Sequence, residues 1–131
     1  MERSAVNPVT WSQELGFNQG ELATGATRTL YISGQTAMDV DGRPQHDGDV
    51  AAQLRLSLDN VEAVLAEVGM GLTDLVRLNV YTTGIDDLFP HYGELAGRLA
   101  EAGAAPTTTM LEVSRLAVPG QVVELEGIAV G

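Results

Sequence analysis

The stretch DVAAQLRLSLDNVEAVLAEVG, Asp49 to Gly69, places apolar side chains at Val50, Leu54, Leu58, Val61, Leu65 and Val68. Intervals of three and four residues put all six on one stripe of an α-helix, and Gly69 is the residue type that ends a helix most readily. Beyond it the period changes. Val76, Leu78 and Val80 alternate with Arg77, Asn79 and Tyr81, which predicts a strand with one face in the core. A second helix is predicted from Ile85 to Leu99, with Ile85, Leu88, Tyr92, Leu95 and Leu99 as its stripe. Asp86 and Asp87 suit its positive N-terminal end, and Gly103 stops it before Pro106. Thr107–Val113 and Gln121–Val130 are predicted strands around a turn at Pro119 and Gly120. Upstream, Gly20–Thr24 and Thr29–Ser33 are β-prone runs joined across Gly25, Ala26 and Thr27, which predicts a hairpin followed by a turn at Gly34. Asp39–Asp49, with two Gly and a Pro, is a loop. The resulting order, ββαβαββ, is that of an α+β domain with both helices on one face of a mixed sheet. A small sheet with apolar residues on both sides needs cover on its second face, and self-association supplies it.

Working outward, the chain has 131 residues, 44% hydrophobic and 19% charged, which is the scale of a single domain over residues 1–131. No repeat or linker divides it. No apolar run approaches a membrane span, and Met1–Leu15 has no apolar core of a secretory signal, so a cytoplasmic location is expected. Seven basic residues against eighteen acidic ones give 7 − 18 = −11, a field that repels phosphate backbones and anionic lipid heads. Neither a nucleic-acid nor a membrane partner is expected. All seven basic residues are Arg, which excludes Schiff-base chemistry on a protein lysine, pyridoxal-phosphate catalysis included. The lack of Cys excludes thiolate nucleophiles and thiolate metal sites. With only His46 and His91 as imidazoles, acid–base chemistry falls to carboxylates, hydroxyls and water. No cofactor or metal is expected.

Three segments carry a resemblance: Gly34-Gln35 after a strand, QLRLSLDN at Gln53–Asn60, and PTTTMLEVSRL followed by VVELEGIAV at the C-terminal end. In their order and spacing, from Phe17 to Val130, they resemble the Rid family, also called YjgF or L-PSP. The resemblance implies a chorismate-mutase-like fold and a homotrimer whose sheets form a central barrel with a small-molecule cleft between subunits. It also implies hydrolysis of reactive enamines or imines to a 2-oxo acid and ammonia. Carried over residue by residue, it gives Glu124 as the catalytic carboxylate that positions water, and Ser33 and Gly34 as the cleft edge. Phe17 takes the place of an aromatic contributed by the neighbouring subunit, Tyr92 that of an Asn, and Met110 that of a small residue. Thr108 stands where deaminating members carry an Arg that forks onto the substrate carboxylate, a geometry that a hydroxyl does not supply. The expectation is therefore a Rid-like hydrolase for an enamine, imine or related small metabolite, without standard 2-iminoacid deaminase activity. The alternative is a non-catalytic ligand-binding or regulatory trimer. The cleft is more apolar than the deaminase pattern, which points to a larger, neutral or aromatic ligand.

Other residues have plainer readings. Glu126 shares a strand face with Glu124 and is taken as structural. Thr107, Thr108 and Thr109 suit a strand and have no base nearby in sequence. Asp39, Asp41 and Gly42 resemble the start of a calcium loop, but its twelfth position is Val50 instead of a bidentate Glu. His46 and His91 are expected on the surface. Arg115, three residues after Glu112, is expected to pair with it, and is the alternative candidate to anchor a substrate carboxylate in place of the absent Arg at position 108. Trp11 and Phe17 are expected in core or interface packing.

Overall fold

In a computed structural model that describes residues 1–131, the predicted first helix is α1, Val50–Ala66. Asp49 caps it, its carboxylate accepting from the Ala52 N–H at 3.1 Å, which satisfies one of the free donors of the first turn. The expected stripe is the buried one: Leu54, Leu58, Val61 and Leu65 are all essentially inaccessible. Gln53 and Ser57 are buried beside them.

The other elements are β1 (Glu2–Val6), β2 (Gly20–Thr24), β3 (Thr29–Gln35), β4 (Leu75–Thr82), α2 (Ile85–Leu88), α3 (Gly93–Ala102), β5 (Thr107–Glu112) and β6 (Val123–Val130). The main sheet runs β3-β6-β4-β5. Only the β4–β5 pair is parallel; β6 is antiparallel to both β3 and β4. Val123, Leu125 and Ala129 of β6, with Leu78 and Val80 of β4, meet Leu88, Leu95 and Leu99 in one apolar cluster. The helices therefore cover a single face of a mixed sheet, as the periodicities predict. Burial of such aliphatic side chains stabilises by about 1.5–3 kcal/mol each.

Four expectations are corrected. Gly20–Thr24 and Thr29–Gln35 do not form a hairpin: β2 pairs with the unanticipated β1, and β3 pairs with β6. The Arg3 side chain donates to Glu21 at 2.5 Å and to the Leu75 carbonyl at 3.1 Å, fastening β1 to both β2 and the main sheet. Gly34 is inside β3 rather than in a turn after it, at a β-bulge between Ile32 and Gln35. The second helix is not continuous, because Phe89–His91 is a 3-10 turn between α2 and α3; Pro90 has no N–H to extend the α2 hydrogen-bond ladder. The strands and helices thus run βββαβααββ.

The loops are tied down by side chains of α1. Gln53 donates to the carbonyls of His46 and Gly120, both at 2.8 Å, and accepts from the Val122 N–H at 2.8 Å. Asn60 donates to the Thr36 and Met38 carbonyls at 3.0 Å each. The polar residues of QLRLSLDN hold the two segments that lead into α1 and into β6.

Candidate active site

Sheet register divides the residues expected at the site into two groups. Thr108 pairs with Leu78 and Met110 with Val80, so both side chains face the helix side. There they meet Phe17 and Tyr92, and with Leu15 and Phe89 these six line a cavity of about 330 Å³ at the β5 edge of the sheet. Tyr92 also packs on the apolar core, and burial raises its phenol pKa above the ordinary value. Trp11 meets Phe17 edge to face, ring centres 6.0 Å apart, an arrangement the ring quadrupoles favour. Thr108 donates its hydroxyl to the Leu78 carbonyl at 2.5 Å. Phe17 lies with Thr108 and Met110 of its own chain.

Glu124 and Gly34 come together elsewhere, on the sheet face that no helix covers, and Ser33 lines a cavity on that face with Arg77, Asn79 and Glu126. Glu124 pairs across to Tyr81, and Glu126 to Asn79, so both carboxylates point to this face, as their spacing predicts. A Cβ at Gly34 would lie 1.9 Å from Glu124 Oε1; only glycine lets the bulge seat that carboxylate. Desolvation raises the pKa of Glu124, with a smaller push from the Glu126 charge. Glu126 is held the other way. Tyr81 O–H and the Asn79 amide donate to its Oε1, the latter at 3.1 Å, and these bonds lower its pKa. Arg77 on the same face donates to Thr109 Oγ1 at 2.6 Å. One strand thus carries a carboxylate fixed in its charged form and, two residues away, one for which the proton is more easily kept.

Sequence reasoning missed Phe89 and Leu15, which are 60% and 53% exposed at the rim of the cavity. Phe89 stands off the apolar stripe and directly before Pro90, which was the available signal. The Arg77–Asn79–Tyr81 row was recognised only as the outer half of a strand. Arg115 makes no ion pair with Glu112; the Glu112 carboxylate accepts from the Ile85 N–H at 3.0 Å instead, which suits the start of α2. His46 and His91 are exposed, and no group of three or more His, Cys, Asp or Glu side chains converges as a metal site would require.

A family model described as Endoribonuclease L-PSP matches residues 13–131. Protein DfrA of Myxococcus xanthus is 31% identical over 130 residues, 99% of this chain and 97% of that protein. A 2-iminobutanoate/2-iminopropanoate deaminase of Rattus norvegicus is 30% identical over 102 residues, 71% of this chain and 74% of its own. Among solved structures, a Yersinia pestis protein described as a conserved Rid family member of unknown function superposes with a TM-score of 0.84. It is 29% identical and covers 100% of both chains.

Proposed function

The chain belongs to the Endoribonuclease L-PSP or Rid family, and on that premise we propose that it is a cytoplasmic, homotrimeric hydrolase of a reactive imine, enamine or related small metabolite. The observation that carries the reading is the seating of Glu124 against Gly34, on an open sheet face, with its pKa raised by burial. A carboxylate with a raised pKa is a better base toward water than an ordinary one. It takes one proton from water as the oxygen bonds to the imine carbon and passes it to nitrogen, giving a carbinolamine; it then takes the hydroxyl proton and gives it to nitrogen as the C–N bond breaks and the C=O bond forms. The products are a carbonyl compound and an amine or ammonia.

Within one chain the sheet stands between Glu124 and the apolar cavity, so the proposal needs a second copy. Glu124, Ser33 and Gly34 of one subunit would face Phe17, Tyr92, Thr108 and Met110 of the next across a shared cleft. The uncovered face supports this. Tyr31 and Leu111 lie 74% and 49% exposed, and both register positions point away from the helices.

The name of the family model suggests RNA cleavage, but the net charge of −11 opposes contact with phosphate backbones. A second reading, a non-catalytic ligand-binding trimer, is favoured by one observation: Thr108 has its hydroxyl committed to the sheet and leaves the cavity without an anchor for an anion. Glu124→Gln separates the two. Hydrolysis of a Schiff base of a small aldehyde, followed by ultraviolet absorbance, should fall at least tenfold in this variant, since an amide does not take up the proton. Equal rates in wild type and variant would leave the binding reading.

A further inference from the structure

We infer that the cavity at the β5 edge takes an uncharged, compact apolar ligand built on a single aromatic ring, with one hydrogen-bond acceptor for the Tyr92 hydroxyl and no carboxylate inside the pocket. The inference rests on the proposed ligand site and names its ligand class. Leu15, Phe17, Phe89, Tyr92, Thr108 and Met110 form the whole lining, without a charged side chain. The polar atom of Thr108 is already engaged with Leu78, which leaves the phenol of Tyr92 as the polar group available to a ligand.

No arginine reaches the cavity. Arg3 is held by Glu21, Arg28 by the Val68 carbonyl, Arg55 by Glu94, Arg77 by Thr109 and Arg98 by Asp59 and Glu62. Arg43 and Arg115 belong to the loops before α1 and before β6, away from the lining. A carboxylate drawn into this pocket would lose its water with nothing charged to receive it, whereas an aromatic ring loses only unfavourable contact with water. Size points the same way. A dry cavity of about 150 Å³ takes a benzene ring, and this one of about 330 Å³ has room for the ring and a short side chain. The edge-to-face Trp11–Phe17 pair stiffens one wall, and Phe89 and Leu15 leave apolar surface at the mouth that such a ligand would cover.

The test is calorimetric titration of the full chain with three probes: 3-phenylpropanamide, 3-phenylpropanoate and the ring-free propanamide. The phenyl amide should bind at least about tenfold more tightly than the isosteric carboxylate, and propanamide should show no heat of binding. Tyr92→Phe, which keeps the ring and its packing, should weaken the phenyl amide severalfold, the effect of one lost hydrogen bond. Equal or tighter binding of the carboxylate, binding of propanamide comparable to the phenyl amide, or no binding of the phenyl amide would each overturn the inference. The last result is also expected if a neighbouring copy fills the pocket. A parallel assay with N-benzylidenemethylamine separates this inference from the hydrolase reading. Phenyl amide binding without Glu124-dependent turnover would sink the hydrolase and keep the ligand class. Glu124-dependent turnover of 2-iminopropanoate without amide binding would do the reverse.

Discussion

Thr108→Arg should confer 2-iminoacid deaminase activity on this chain. The position faces the apolar cavity beside Phe17, Tyr92 and Met110, so a guanidinium placed there can lie against aromatic rings and present its fork to a substrate carboxylate. The loss is confined to one hydroxyl, the donor to the Leu78 carbonyl, about 1 kcal/mol of stability at an edge strand whose backbone pairing is unchanged. The gain is two charge-assisted hydrogen bonds of about 1.5–3 kcal/mol each. Ordering the long side chain takes back about 2 kcal/mol. The balance, about 1–4 kcal/mol, is roughly 5- to 1,000-fold in kcat/KM. The assay generates 2-iminopropanoate in situ and follows its loss in competition with semicarbazide, alongside a thermal melt and light scattering to show that the variant keeps its fold and assembly. Adding Glu124→Gln should remove the gain, because anchoring alone moves no proton. A folded Thr108→Arg protein with wild-type turnover would refute the reasoning, as would a wild type already as fast as the variant.

Light scattering at micromolar concentration should give three copies of the 13.8 kDa chain, and a monomer would remove the shared cleft. In a filter assay near physiological salt the protein should retain no RNA, and tight salt-sensitive retention would show a local arginine cluster outweighing the charge of −11. Gln53→Leu deprives the His46 and Gly120 carbonyls and the Val122 N–H of their partners; at about 1 kcal/mol each this is a fall in Tm of about 10 °C, and an unchanged melting curve would deny the clamp its role. Glu124 has a raised pKa in the folded chain, so it binds its proton more tightly folded than unfolded, and its ionisation subtracts stability as pH rises through that window. Glu124→Gln should therefore raise Tm more at pH 7 than below the ordinary carboxylate range, and hydrolysis should rise with pH over the same interval; a Tm gain independent of pH would contradict the assignment.

The architecture was legible wherever a side chain's period reports its environment. The α1 stripe and the alternation of Val76–Tyr81 are direct imprints of burial on one side, and they led to the right layers. Strand pairing left no such imprint. Gly20–Thr24 and Thr29–Ser33 are adjacent and β-prone, which is what a hairpin looks like, yet their partners are the N-terminal strand and the last strand. The short polar segment Glu2–Val6 carries no apolar alternation to announce itself, and its pairing is secured by Arg3 instead. Pro90 was visible but outweighed by a good helical stripe on either side. At the site, spacing placed Glu124 and Glu126 on one face, and the family resemblance selected Glu124. What one sequence does not display is which sheet face each residue joins, because that depends on register across β4. Hence the separation of Thr108 from Glu124 appears only in three dimensions.

The place of β6 bears on how the chain is made. This strand follows every other in sequence yet sits between β3 and β4, so neither β3 nor the β4–β5 pair has its neighbour until Val123–Val130 is available. During synthesis the ribosome therefore releases a nascent chain whose first hundred residues expose open strand edges and the apolar stripe of α1. Pairings of this sequence separation are slow to close, and unpaired edges are where chains associate wrongly. The domain is thus one that completes its fold only after Val123–Val130 has emerged, and a ribosome stalled before Val123 would hold a client for chaperones rather than a partly built domain.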